Sequence, residues 1–176
     1  NLVVQTTLGF YYSFFPSITP VTWERTTCWV MFISAVSEVP FLLFADRVVK
    51  KLGVHVTLTA SAGVVATRWL LLFLVTNKYA VLGINALHGL SFIVFAYSLA
   101  TYINANVPKE LRASGQALNG LVVMGIARIL GSVAGGFLSQ TFGTRQVFLF
   151  TSLLDYCAVV VFGALLLIVR KRKVKD

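Results

Sequence analysis

Six stretches of this chain are too long and too evenly apolar for helices that face water, and that feature decides most of what it can fold into. They run at about 2–20, 27–45, 54–76, 79–103, 113–138 and 146–169. Each is close to the ~20 residues that cross a hydrocarbon core as helix. A soluble helical bundle carries polar stripes along its helices, whereas these runs are apolar on nearly every side. Only 12% of the residues are charged and the mean hydropathy is +0.83, far from the balance of a water-soluble domain. The expected fold is an all-α integral membrane protein with six transmembrane helices in a lipid bilayer.

A net charge of +9 raises nucleic acid as a partner. A nucleic-acid reader spreads its basic residues along a groove or a helix face. Here they sit in short clusters between apolar runs, the pattern of membrane topology, so no nucleic-acid partner is expected. Lys and Arg near span ends stay on the cytoplasmic side. One side collects ten of them: Arg47, Lys50, Lys51, Lys109, Arg112, Arg170, Lys171, Arg172, Lys173 and Lys175. The other collects Arg25, Lys78 and Arg145. The C-terminus is therefore expected in the cytoplasm of a multi-pass plasma (inner) membrane protein. Cys28 and Cys157 lack CxxC spacing and read as small packing residues, with no metal site and no cofactor expected. No initiating Met or charged leader precedes the first run, so Asn1 reads as a break inside a longer protein.

Glu38, Arg68, His88, Arg128 and Asp155 all fall deep inside apolar runs. An unpaired charge there costs at least ~2.5 kcal/mol, so these side chains must face protein or a water-filled cavity. Charged pairs that only lock helices together would satisfy that rule, but five ionisable groups at depth favour a substrate or ion pathway. In span four Asn85, His88, Ser91, Ser98 and Tyr102 recur at helical spacing and are expected to line a cavity. Span five carries Gln116 and Asn119, then Gly131 and Gly135, small residues whose spacing predicts close helix packing. Arg128 points toward that glycine face and reads as a helix-locking charge.

The stretches EVPFLLFADRVVKKLG, ATRWLL, ALHGLSFIVFAYSLATYIN, VPKELRASGQALNG and LGSVAGGFLSQTFG, in that order, resemble the C-terminal half of the major facilitator superfamily. The similarity is to the branch that includes lactose permease and the nucleoside and phenylpropionate proton symporters, and it covers essentially the whole chain. It implies half of a twelve-helix fold, built as two inverted three-helix repeats, whose partner is an N-terminal six-helix half. Asp46, Arg47, Lys50, Lys51 and Gly53 then match the acidic-basic, glycine-containing signature, expected in the cytoplasmic loop between spans two and three. Arg68 and His88 match the buried arginine and histidine of that branch, while Ser91 stands where the branch has a glutamate.

These readings converge on a secondary active transporter that moves a small polar or aromatic solute, a sugar, nucleoside or aromatic acid, by proton symport with alternating access. Glu38, Arg68 and His88 form the expected proton-coupling group. Asn85, Tyr97, Tyr102, Gln116 and Asn119 are the expected substrate ligands, with Tyr11, Tyr12 and Trp69 suited to stacking on a ring. The competing reading is a membrane receptor or interaction subunit that keeps the fold without transport, supported by Ser91 in place of an acid. No metal constellation, nucleotide loop or nucleophile-base motif supports an enzyme.

Overall fold

A computed structural model describes residues 1–18 and 24–172. Most of the turn expected at Pro20–Arg25, and Lys173 and Lys175 of the basic tail, lie outside the described residues. So do the side chains of Arg25, Lys78, Arg170, Lys171 and Arg172. Among the described residues every regular element is helical: α1 Leu2–Ile18, α2 Glu24–Leu52, α3 Val54–Leu74, α4 Lys78–Ala86, α5 Val94–Asn106, α6 Arg112–Leu118, α7 Gly125–Phe142 and α8 Thr144–Arg172. A π-helical turn, Gly89–Ile93, joins α4 to α5, and a second, Asn119–Met124, joins α6 to α7. The eight segments therefore make six rods. Five are long and apolar enough to cross a membrane, at Cys28–Leu52, Val54–Leu74, Tyr79–Asn106, Lys109–Phe142 and Thr144–Ile168. The first rod, α1, has 17 described residues.

α1 lies along α7, α3 along α8, and α2 along the α4–π–α5 rod, which also packs on α3, with α8 also touching α1 and α7. Without a water-driven hydrophobic force between helices in lipid, such pairs depend on close backbone approach and on polar contacts. Small residues supply the approach here. A Cβ on Gly131 would meet the Thr6 carbonyl and the Phe10 amide, and one on Gly135 would meet the Phe10 ring. On the facing helix, a Cβ on Gly9 would sit 2.8 Å from the Arg128 Cα. The glycine spacing seen in the sequence thus marks the seam between α1 and α7. Phe10, Tyr11, Phe15, Trp69 and Phe148 fill the core between these helices and α3.

One expectation needs correction. The Arg47–Gly53 segment is not a loop, because α2 continues to Leu52 and α3 begins at Val54. Asp46, Arg47, Lys50 and Lys51 therefore sit on the last turns of α2, where Lys50 Nζ bonds Asp46 Oδ2 at 2.7 Å, one helical turn away. Cations near a helix C-terminus also favour the helix dipole, which is why the basic cluster extends the helix instead of ending it. The entire connection is Gly53, with φ 84° and ψ 151°. Gly143, with φ 88° and ψ 142°, makes the same one-residue connection between α7 and α8. Side chains are nearly excluded from that backbone region, at a cost of about 1–3 kcal/mol. Gly53→Ala should therefore lower stability by about that amount although its Cβ would meet open space, whereas Gly63→Ala, equally uncrowded inside α3, should be neutral or stabilising. Thermal unfolding in detergent compares the two; equal melting points would contradict the strained-turn account.

Candidate functional site

The largest fully buried charged side chain among the described residues is Arg68, on α3, with none of its surface exposed. A buried guanidinium needs acceptors for its fixed fork of donors. Two come from the α4–π–α5 rod: Nη1 donates to His88 Nδ1 at 2.8 Å and Nη2 donates to Asn85 Oδ1 at 2.9 Å. Asn85 Oδ1 also accepts from the Tyr11 hydroxyl at 2.7 Å, while its Nδ2 donates to the Val81 carbonyl. The guanidinium carbon lies over two rings, 4.7 Å from the Tyr11 centroid and 5.0 Å from that of Trp69. Arg68 Nε has no partner among the described residues.

These bonds fix the state of His88. Arginine has only donors, so Nδ1 must offer its lone pair, and the neutral ring carries its proton on Nε2. Nε2 lies 3.0 Å from the Tyr12 hydroxyl and 3.3 Å from Glu38 Oε1. Phe92 stacks on the imidazole, with ring centroids 5.2 Å apart and planes 6° from parallel. The one imidazole thus lies between Arg68, hydrogen-bonded at Nδ1, and Glu38, 3.3 Å from Nε2. The cluster has a sealed end at Arg68 and Asn85. Its open end is made by half-buried Glu38 and exposed Tyr12, with Arg128 on α7 placed 5.7 Å from the Tyr12 ring.

His88 is held where it is by a backbone irregularity. It directly precedes the π-helical turn, and the Gly89 amide turns outward to donate to Ser37 Oγ on α2 at 3.0 Å. The two rods touch at this point: a Cβ on Gly89 would overlap the Ser37 carbonyl and the Phe41 ring. Glu38, the residue after Ser37 on α2, is thereby brought within reach of His88. π-turns inside helices are frequent at functional sites because they re-aim side chains and free a backbone group.

Asp155 and four of the five expected substrate ligands are not among the residues bonded in this cluster. Asp155, on α8 and fully buried, accepts from Thr7 Oγ1 at 2.8 Å and from Trp69 Nε1 at 3.0 Å. Of the five expected substrate ligands, Asn85 alone joins the cluster, and it is already bonded to Arg68 and Tyr11. Tyr97 donates to Asp46 Oδ1 at 2.9 Å, and the Tyr102 ring packs 5.5 Å from His55. Gln116 Nε2 bonds Ala100 O and Asn104 Oδ1, and Asn119 bonds Asn1. Of the expected span-four band, Asn85, His88, Ser91 and Ser98 are all buried, the two serines donating to carbonyls of their own helix at His88 and Val94, while Tyr102 is exposed. The π-turn shifts the register on which that band was drawn. Ser37, Thr7 and Phe92 are participants that no spacing in the sequence indicated.

The sequence profile of the MFS_1 like family matches residues 1–150. The chain is 24% identical over 146 residues to the "Uncharacterized transporter YwbF" of Bacillus subtilis (strain 168), covering 83% of this chain and 36% of that protein. It is 26% identical over 140 residues to the "Maltose permease" of Geobacillus stearothermophilus, covering 80% of this chain and 35% of that protein. The matches thus span about a third of the length of these relatives. No solved structure matches the chain.

Proposed function

Because the chain belongs to the MFS_1 like family, we propose that it is the C-terminal six-helix half of a secondary transporter that moves a small polar or aromatic solute by proton symport. The carrying observation is the Glu38–His88–Arg68 relay, which runs from an open surface to a sealed guanidinium. With His88 neutral, Glu38 and Arg68 cancel each other, so a proton arriving at Glu38 leaves the cluster with a single positive charge. Alternating access changes what surrounds Glu38, and with it the proton's occupancy. Tyr12, Arg128 and the exposed edge of Glu38 form the polar face offered to a solute held between this half and the other. Sites of this kind lie at the interface between repeats or halves.

The arrangement of two inverted three-helix repeats is supported by two features. The rod pairing, first with fifth, second with fourth and third with sixth, maps onto itself when the two trios are exchanged. Gly53 and Gly143 occupy matching connections, between the second and third rods of each trio, with φ of 84° and 88°. The proposed orientation puts the C-terminus and the Asp46–Lys50 end of α2 in the cytoplasm.

Glu38→Gln tests the proton reading. The amide keeps the shape of the neutral acid but exchanges no proton. In proteoliposomes of the full-length protein with an imposed proton gradient, wild type should concentrate at least one solute from a panel of sugars, nucleosides and aromatic acids. The variant should lose that accumulation and retain binding or solute exchange. Accumulation at the wild-type level by Glu38→Gln would remove Glu38 from the coupling role, and a wild type that moves no solute would favour the receptor reading.

A further inference from the structure

Asp155 is fully buried between α1, α3 and α8, and the relay does not use it. Its carboxylate holds α1 through Thr7 and α3 through Trp69, both on Oδ2, while Oδ1 has no partner among the described residues. A buried carboxylate with one oxygen unsatisfied is a poor device for stability alone, since well-packed apolar residues of similar volume commonly do as well or better. What it does fix is the indole. Trp69 has one polar atom, and that atom is bonded to Asp155. The ring it orients is fully buried, 5.0 Å from Tyr11 and 5.0 Å from the Arg68 guanidinium.

We propose that Asp155 is a positioning residue for Arg68, acting through the Trp69 indole. Arg68 rests on a platform of two aromatic rings, and each ring is anchored by its single polar atom. The Tyr11 hydroxyl is held by Asn85, which Arg68 also contacts. The Trp69 N–H is held by Asp155, one helix further out. A cation over an aromatic face is attracted only within about 6 Å of the centroid, so a tilt of the indole withdraws that support. One turn before Asp155, Ser152 Oγ donates to the Ala66 carbonyl at 2.8 Å, which fixes the register of α8 on α3 just ahead of Arg68 and Trp69. Loss of the anchor lets the guanidinium drift from His88 Nδ1, and the imidazole then no longer has a fixed tautomer.

This inference rests on the relay reading for its functional meaning, but its test does not require transport. Full-length protein labelled with ¹⁵N-histidine and reconstituted in bilayers reports the His88 ring nitrogens, with His88→Gln assigning the signal. Wild type should show the Nε2–H tautomer alone. Trp69→Phe, which keeps a ring but lacks the donor, and Asp155→Leu should both lose that single signal, and combining them should add nothing. Asp155→Asn, whose amide oxygen still accepts, should retain it. An unchanged His88 signal in folded Trp69→Phe protein overturns the proposal, and that variant decides alone if Asp155→Leu does not fold. Uptake measured on the same samples separates the two readings: tautomer loss with full proton-driven accumulation would sink the coupling role of the relay and leave the positioning role standing.

Discussion

Gly89→Leu should abolish a stably folded protein, or reduce its stability by about 3 kcal/mol or more, the upper range for forcing bulk into a packed interior. The obstacle is backbone, not a movable side chain: any Cβ at this position overlaps the Ser37 carbonyl on α2. Relief requires α2 and the α4–π–α5 rod to separate, which also breaks the Gly89 amide bond to Ser37 Oγ and moves His88 away from Glu38. Gly89→Ala should show the same direction with a smaller loss. Gly83, six residues earlier on the same rod, faces open space, so Gly83→Ala should be neutral or gain slightly from helix propensity. Monodispersity and melting temperature in detergent distinguish these outcomes, and a Gly89→Leu protein as stable as wild type would disprove the crossing.

Arg68→Met should produce the largest functional loss. It removes two charge-assisted hydrogen bonds, to His88 and Asn85, each worth about 1.5–3 kcal/mol, and leaves Glu38 without its compensating charge. Proton-driven accumulation in proteoliposomes should fall by roughly 100-fold or more, since about 3 kcal/mol corresponds to that factor. Arg68→Lys should recover little of it. An ammonium is a point donor without the planar fork that reaches both partners, and it stacks less well on the Tyr11 and Trp69 rings. Wild-type accumulation by folded Arg68→Met protein would show that the buried charge serves structure alone.

The membrane architecture was legible in the sequence because lipid imposes a length and a polarity that one chain segment reveals by itself. The glycine seam at Gly131 and Gly135 was legible for the same reason, since close approach of two backbones needs small residues one turn apart. Arg68, His88 and Glu38 stood out because charge at depth is costly, and they prove to be neighbours. Their mode of contact was not legible. Asp155 is bonded to residues 148 and 86 positions away, a juxtaposition only tertiary packing decides. The span-four band was drawn on an ideal helical wheel, and the Gly89–Ile93 turn shifts that wheel, so that Tyr102 is exposed although Asn85, His88, Ser91 and Ser98 are buried. The supposed Arg47–Gly53 loop failed because charge was read as a boundary, whereas a solvated cationic last turn is a good helix ending.

The one-residue connections at Gly53 and Gly143 bear on kinematics. Consecutive Cα atoms are about 3.8 Å apart whatever the dihedrals, so a joint of one residue permits rotation but supplies no slack for translation. α2 with α3, and α7 with α8, can open like the blades of scissors, yet neither pair can slide lengthwise past its partner. The α3–α4 connection through Val75–Asn77 has three residues and the freedom to absorb an axial shift. Any piston-like displacement within this bundle is therefore confined to that connection and others of comparable length, while the glycine joints act as pins. Pairs of spin labels placed on α2 and α3 would report angles, and pairs across α3 and α4 would report strokes.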